Sequence, residues 1–86
     1  MPVHGKKAAH DYAECIRARL PRRLQELREA AGLSKYALAR ESGLSREYIG
    51  KLERGIANPT IPVTAQLSHG LGMTLAKFVE QLEDDD

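Results

Sequence analysis

The segment from residue 46 to residue 54, REYIGKLER, holds the side chains with the most binding chemistry in this chain. An arginine can donate two hydrogen bonds to O6 and N7 of guanine, and a glutamate can accept one from the cytosine amino group. Arg46 and Glu47 stand at the start of the segment, and Lys51 and Arg54 follow farther along. Lysine and arginine also attract phosphate whatever the base sequence. The segment therefore indicates a surface for a polyanion, provided that a helix positions these side chains.

Two copies of a helix-start signal, eleven residues apart, predict the elements that position this segment. Each copy has an apolar residue, a serine that can cap a helix, and a second apolar residue four positions after the cap. The copies are Leu33, Ser34 and Leu38, then Leu44, Ser45 and Ile49. Gly43, between them, can take the positive φ that a sharp turn needs. Two short helices joined this way form a helix-turn-helix, which predicts DNA binding.

The second of these helices, predicted from Ser45 to about Arg54, has one side for packing and one for contact. Ile49 and Leu52 fall on the packing side. An α-helix fits the major groove of DNA, and the residues near its N-terminus lie closest to the base edges. Arg46 is therefore the first candidate for a base contact.

The other candidates leave alternatives open. Glu47 accepts from cytosine, repels phosphates at wrong sites, or is simply solvated. Gly50 costs ~1 kcal/mol of helix propensity relative to alanine, so it either permits close approach to the groove or is merely tolerated. Lys51 is a further candidate for base contact, although its position farther along the helix favours phosphate. The phosphate candidates are Lys35, Ser45, Tyr48 and Arg54, of which Tyr48 also suits packing with its hydroxyl outward.

The rest of the chain predicts more helices and no strand. Apolar residues at helical spacing between Asp11, a possible cap, and Ala31 indicate a first helix. Pro21 interrupts it, and since proline clashes with the preceding turn we favour two segments that meet there. Thr60 and Thr74 predict the caps of a fourth and a fifth helix. The expected inner face of the fourth helix consists of Ile61, Thr64, Leu67 and Leu71.

The charge is divided unevenly along the 86 residues. Residues 1–79 hold all 13 Lys and Arg against 7 Asp and Glu, a net of +6, whereas residues 80–86 carry −5. A basic body suits a polyanion, although a solvated surface gives the same count. We expect one helix-turn-helix domain over residues 20–82, a partly helical extension over residues 1–19 that begins as a basic arm or a disordered terminus, and an acidic tail over residues 83–86.

Other classes of function find little support in the sequence. No apolar run approaches the ~20 residues of a membrane span and the start resembles no secretory signal, so we expect a cytoplasmic location. Cys15 is the only cysteine, which excludes an internal disulfide. His4, His10 and His69 are scattered without the spacing of a metal or catalytic site. We therefore expect no enzymatic activity, no metal and no cofactor.

Five motifs follow one another over about residues 20–79: LxELREAAGLS, ALARESGLS, YIGKLERG, NPT and LSHGLGMTLAKFVE. In this order they resemble the lambda-repressor-like, Cro-type helix-turn-helix family, also called the xenobiotic-response-element type. The resemblance implies a compact domain of five α-helices that binds operator DNA as a homodimer, with helix three in the major groove ~34 Å from its partner. It also implies an ion pair between Arg28 and Glu53. Lys35 and Tyr36 depart from the glutamine and the small or acidic residue typical of this family.

The resemblance leaves three kinds of regulator open. A small repressor and a restriction-modification controller both suit a short chain without a sensor domain. Antitoxins use the same fold to bind a toxin protein and to repress their own promoter, and the extension and tail keep such a toxin partner open. Nothing in the sequence separates these alternatives.

Overall fold

The computed structural model describes residues 8–83, which form five α-helices and no strand. The helices are α1 (Ala9–Ala30), α2 (Lys35–Ser42), α3 (Arg46–Glu53), α4 (Ile61–Gly70) and α5 (Leu75–Glu80). The prediction of an all-α domain of five helices is confirmed. Residues 1–7, with most of the expected arm, and residues 84–86 of the expected acidic tail lie outside the described residues.

Helices α2 to α5 begin at hydroxyl caps that the sequence predicts. Ser34, Ser45, Thr60 and Thr74 each accept a hydrogen bond, of 3.0 to 3.3 Å, from the backbone N–H three residues on. Between α2 and α3, Gly43 has a φ of 78°, and the N–H of Leu44 donates to the carbonyl of Ala39 at 3.2 Å. A residue with a Cβ resists this backbone conformation, so glycine permits the tight turn.

The break expected at Pro21 is wrong. Helix α1 continues through Pro21, and it begins two residues before Asp11, which lies in its first turn and does not cap it. An interior proline costs a helix ~3 kcal/mol or more. However, Leu20 and Leu24 on either side are buried in the core, and each buried side chain of this size contributes about 1.5 to 3 kcal/mol. Tertiary packing therefore outweighs the local penalty, and the described part of the extension continues into the first helix of the domain.

One hydrophobic core packs the five helices together. Its fully buried large side chains are Leu24, Leu38, Ile49, Leu52, Leu67 and Phe78. In α4, Thr64 and Leu67 face this core as predicted, but Ile61 is 69% exposed. Ile61 is the first residue of α4, and helical periodicity alone does not show that it lies outside the core.

A buried ion pair joins α1 to the end of α3. Nε of Arg28 donates to Oε2 of Glu53 at 2.6 Å, and Nη2 donates to Oε1 at 3.1 Å. Nη1 of Arg28 donates to the carbonyl of Leu33 at 2.8 Å. The hydrogen bonds to Glu53 raise the pKa of Arg28 above its ordinary value, so the guanidinium stays charged. The pair that the resemblance implies is thus present, and it holds the last residue of α3 against α1.

Polar contacts join α1 to the residues that follow α5. The Tyr12 hydroxyl donates to Oε1 of Glu83 at 2.6 Å. Nε of Arg23 donates to the carbonyl of Gln81, the C-cap residue that follows α5, at 2.8 Å. A cationic side chain at the carbonyls that end a helix also interacts favourably with the helix dipole. Tyr12, in the predicted extension, is therefore held against Glu83, near the other end of the chain.

We expect the contact between Tyr12 and Glu83 to add stability that is lost at alkaline pH. The hydrogen bond to Glu83 raises the pKa of Tyr12 above its ordinary value of 10.0, because a phenolate cannot donate and would face a carboxylate. A pKa raised by folding stabilises the protein below the unfolded value and ceases to do so as pH rises through the folded value. The difference in Tm between wild type and Tyr12→Phe should therefore shrink as pH passes about 10. A difference independent of pH would contradict this assignment.

Candidate nucleic-acid interface

Helix α3 separates its apolar and polar residues onto two sides. Ile49 and Leu52 are fully buried in the core. Arg46, Glu47 and Lys51 are exposed on the outer side. The predicted packing side is therefore buried and the three residues of the predicted contact side are exposed, while their contact with a partner stays a prediction.

A shallow groove runs along the outer side of α3 to the start of α2; we call it the α3 groove. Its lining residues are Lys35, Arg46, Glu47, Gly50, Lys51 and Arg54. These are all four candidates for base contact and two of the four candidates for phosphate contact. Lys35, the first residue of α2, reaches the groove because the turn at Gly43 folds the two helices together. The structure thus brings four cations and one carboxylate around a single concavity.

The four cations of the α3 groove have no carboxylate partner among residues 8–83. Within this part of the chain, the arginines that lie within 4.0 Å of a carboxylate all belong to α1. They are Arg17 with Glu14, Arg22 and Arg23 with Glu26, and Arg28 with Glu29 and Glu53. A concave surface on which cations outnumber anions, here four to one, raises the local concentration of an anionic partner. The α3 groove is therefore suited to an anionic partner.

Ser45 and Tyr48, the other two phosphate candidates, lie outside the α3 groove. The Ser45 hydroxyl accepts from the backbone N–H of Tyr48 at 3.1 Å, so it already caps α3. Tyr48 is half-buried and packs against the core. This packing is one of the two roles that the sequence allows for Tyr48. A phosphate contact from either residue stays a prediction.

Gly50 lies in the α3 groove, but the protein's own packing does not require a glycine there. A Cβ built at Gly50 would meet only Nη1 of Arg54, at 3.2 Å. That atom ends an exposed side chain, which can turn away. Both explanations that the sequence offers for Gly50 therefore remain: a partner approaches the helix backbone closely there, or the helix merely tolerates a glycine.

Two residues that the sequence did not suggest as contacts lie beside the α3 groove. Tyr36 and Arg40 are exposed on α2, and Cζ of Arg40 lies 5.9 Å from the centroid of the Tyr36 ring. They line a second groove, the α2 groove, together with Arg46 and Glu47. Tyr36 and Arg40 are four residues apart in a predicted helix, and this spacing places two side chains on the same face. The sequence therefore contained a signal for the pair.

The described part of the chain holds neither a metal-binding cluster nor a membrane-spanning helix. Among residues 8–83, no three His, Cys, Asp or Glu side chains come together in a group able to hold a metal ion. None of the helices from α1 to α5 combines the length and the apolar character that crossing a membrane requires.

Comparison with known proteins identifies the family. A family model described as helix-turn-helix, HTH_3, matches residues 24–78, which is more than half of the chain. The chain is 33% identical over 58 residues to the HTH-type transcriptional regulator y4dJ of Sinorhizobium fredii, covering 67% of this chain and 75% of that protein. It is 38% identical over 63 residues to an HTH-type transcriptional regulatory protein of Methanocaldococcus jannaschii. That match covers 73% of this chain but spans only 20% of the archaeal protein's length.

Solved structures agree with this comparison. The crystal structure of the restriction-modification controller protein C.AhdI from Aeromonas hydrophila superposes with a TM-score of 0.67 and 37% sequence identity. The superposition covers 78% of this chain and 98% of the controller. A crystal structure of an HTH_3 family transcriptional regulator from Vibrio cholerae has a TM-score of 0.69 and 32% identity, covering 73% of this chain and 35% of that chain. The resemblance drawn from the motifs is confirmed, and the chain belongs to the HTH_3 family of Cro/C1-type helix-turn-helix proteins.

Proposed function

We propose that this protein is a transcriptional regulator that binds double-stranded DNA sequence-specifically through α3. The observation that carries the proposal is the α3 groove, in which Lys35, Arg46, Lys51 and Arg54 converge without a carboxylate partner among residues 8–83. DNA is the polyanion that an exposed helix fits, because the major groove admits an α-helix. The regulators y4dJ and C.AhdI support the same conclusion by their similarity.

The proposed contacts divide between bases and phosphates. Arg46 is the first residue of α3, where a side chain comes closest to the base edges, and it suits guanine. Lys35 is the first residue of α2, where the positive end of the helix dipole adds to its charge. A duplex seated on α3 would touch both residues, because they line one groove. Lys51 and Arg54 supply affinity that depends on salt and not on base sequence.

We propose that the regulator works as a homodimeric repressor on a palindromic operator. A two-fold dimer of this motif presents two copies of α3 to successive turns of the major groove, ~34 Å apart. Its relatives come from bacteria and an archaeon, so the proposed location is the cytoplasm, where the DNA of such cells lies. A restriction-modification controller is the second candidate, since the chain covers 98% of C.AhdI. An antitoxin with a toxin partner is the remaining alternative.

Selection from a pool of random duplexes tests both the sequence preference and the symmetry. We expect the wild-type protein to enrich an inverted repeat whose half-sites are about one helical turn apart, ~34 Å from centre to centre. Size-exclusion chromatography with light scattering, with and without the selected duplex, gives the number of protein chains in the complex. Enrichment of no sequence, or of a single half-site bound by one chain, would contradict the proposal.

We expect Gly50→Ala to separate folding from binding. Alanine favours a helix by ~1 kcal/mol over glycine, and only the movable Arg54 side chain lies near the added Cβ, so the free energy of unfolding should rise. If α3 approaches the floor of the major groove closely, the same methyl group should weaken binding to the selected duplex. Urea unfolding and a DNA titration on one sample measure both effects. A variant that is more stable and binds as tightly as wild type would leave only tolerance as the reason for Gly50.

A further inference from the structure

We propose that the DNA contact extends from α3 onto the exposed face of α2, where Arg40, oriented by Tyr36, binds a backbone phosphate. This inference rests on the proposed function and adds a contact outside the α3 groove. The exposed pair on α2 lies on the same side of the molecule as the groove, since the α2 groove and the α3 groove share lining residues.

The two grooves are continuous. Arg46 and Glu47, at the start of α3, line both of them. From this shared boundary the α3 groove leads to Lys51 and Arg54, and the α2 groove leads to Tyr36 and Arg40. A ligand much longer than one groove, as a duplex is, would therefore meet both when it contacts Arg46.

The charge of the α2 groove favours a phosphate as its ligand. Arg40 is exposed and has no carboxylate within ion-pairing distance among residues 8–83, as is true of Arg46 beside it. An arginine guanidinium offers a planar fork of donors that matches two oxygens of one phosphate. A contact of this kind adds affinity and orientation without adding base preference.

Tyr36 acts as a positioning residue for Arg40. Tyr36 is 59% exposed, so its ring is not held in the hydrophobic core. The guanidinium carbon of Arg40 lies 5.9 Å from the ring centroid, within the range of a cation–π interaction. The ring thereby limits the conformations of a long side chain that would otherwise lose entropy on binding. The Tyr36 hydroxyl is not needed for this effect.

The test measures how the affinity for a short random-sequence duplex depends on salt concentration. It compares the wild type with variants that each lack one cationic side chain. The slope of log affinity against log salt is negative, and each lost phosphate contact reduces its magnitude by about 0.9. We expect Arg40→Ala to reduce the magnitude of the slope by this amount for each bound chain and to weaken all sequences equally. Arg22→Ala is the matched control, because Arg22 is an exposed arginine on α1 that lines neither groove. We expect it to keep the wild-type slope.

Tyrosine variants test the positioning role. Tyr36→Phe keeps the ring and should keep the wild-type affinity, whereas Tyr36→Ala should lose part of it. In the Arg40→Ala background, Tyr36→Ala should have no further effect, because the contact it supports is already gone. A Tyr36→Phe variant as weak as Tyr36→Ala would overturn the positioning role.

Two failures of this experiment have different meanings. If wild type binds the duplex and Arg40→Ala keeps both its affinity and its slope, the α2 groove does not contact DNA and the inference is wrong. The groove would then be free for an acidic surface of another protein. If wild type itself binds no duplex at low salt, the proposed function fails, and the inference fails with it. Circular dichroism of each variant confirms that the exposed substitutions leave the fold intact.

Discussion

Glu53→Ala should lower the free energy of unfolding by about 3 to 5 kcal/mol, the cost of breaking a buried ion pair by removing one partner. The side chains of Arg28 and Glu53 are 9% and 5% exposed. Without Glu53, the guanidinium keeps its charge and its burial but retains one short hydrogen bond, to the carbonyl of Leu33, and the exposed Glu29 carboxylate at 3.9 Å. The free energy of unfolding of a domain is roughly 5 to 15 kcal/mol in total, so this pair accounts for a large part of it. Urea unfolding followed by circular dichroism measures the loss.

Glu29→Ala is the matched control for this prediction. Glu29 also lies near Arg28, at 3.9 Å, but its side chain is 59% exposed. An exposed pair contributes about 0 to 1 kcal/mol, so the control should unfold almost as wild type does. A Glu53→Ala protein as stable as the Glu29→Ala control would contradict the role of the buried pair in holding α3 against α1.

Arg46→Ala should cost ~1 to 3 kcal/mol of DNA-binding free energy and relax the preference at one base pair of each half-site. Arg46 is exposed at the first position of α3, so its removal should leave the free energy of unfolding nearly unchanged. The measurement is the affinity for the selected duplex and for duplexes with each single base pair replaced. The mutant should discriminate less at one position only.

Lys51→Ala provides the comparison for Arg46→Ala. Lys51 lies one to two turns farther along the same groove, where we expect a phosphate contact. Its loss should weaken all duplexes about equally and reduce the magnitude of the salt slope by about 1 for each bound chain. If both variants caused equal losses on every duplex, Arg46 would be a phosphate contact as well, and base recognition would have to come from another residue.

Local signals in the sequence predicted the starts of α2 to α5 correctly, although the cap expected at Asp11 for α1 was wrong. A capping serine or threonine bonds to a backbone N–H only three residues away, so its effect depends on nearby residues alone, as at Ser34 and Ser45. The same holds for the turn at Gly43, where one residue must adopt a positive φ. The outer side of α3 followed from helical periodicity once the start at Ser45 was known.

Features that depend on distant residues were harder to predict. Local propensity breaks α1 at Pro21, but the burial of Leu20 and Leu24 keeps the helix whole, and that burial requires the other helices. Arg40 was missed for a related reason. Arg40 comes to lie beside Arg46 only when α2 folds against α3. The positions of the two residues in the sequence therefore do not predict the α2 groove.

DNA binding by the α3 groove is tested most directly by titrating the wild-type protein against a fluorescent duplex at a series of salt concentrations. With four cations facing the partner, log affinity should fall linearly with log salt, with a slope of about −0.9 for each phosphate contacted. Reversing two charges, Lys51→Glu and Arg54→Glu, should reduce the binding at every salt concentration without unfolding the protein, because both side chains are exposed. Absence of binding by the wild-type protein at the lowest salt, or binding unaffected by this double reversal, would contradict the account.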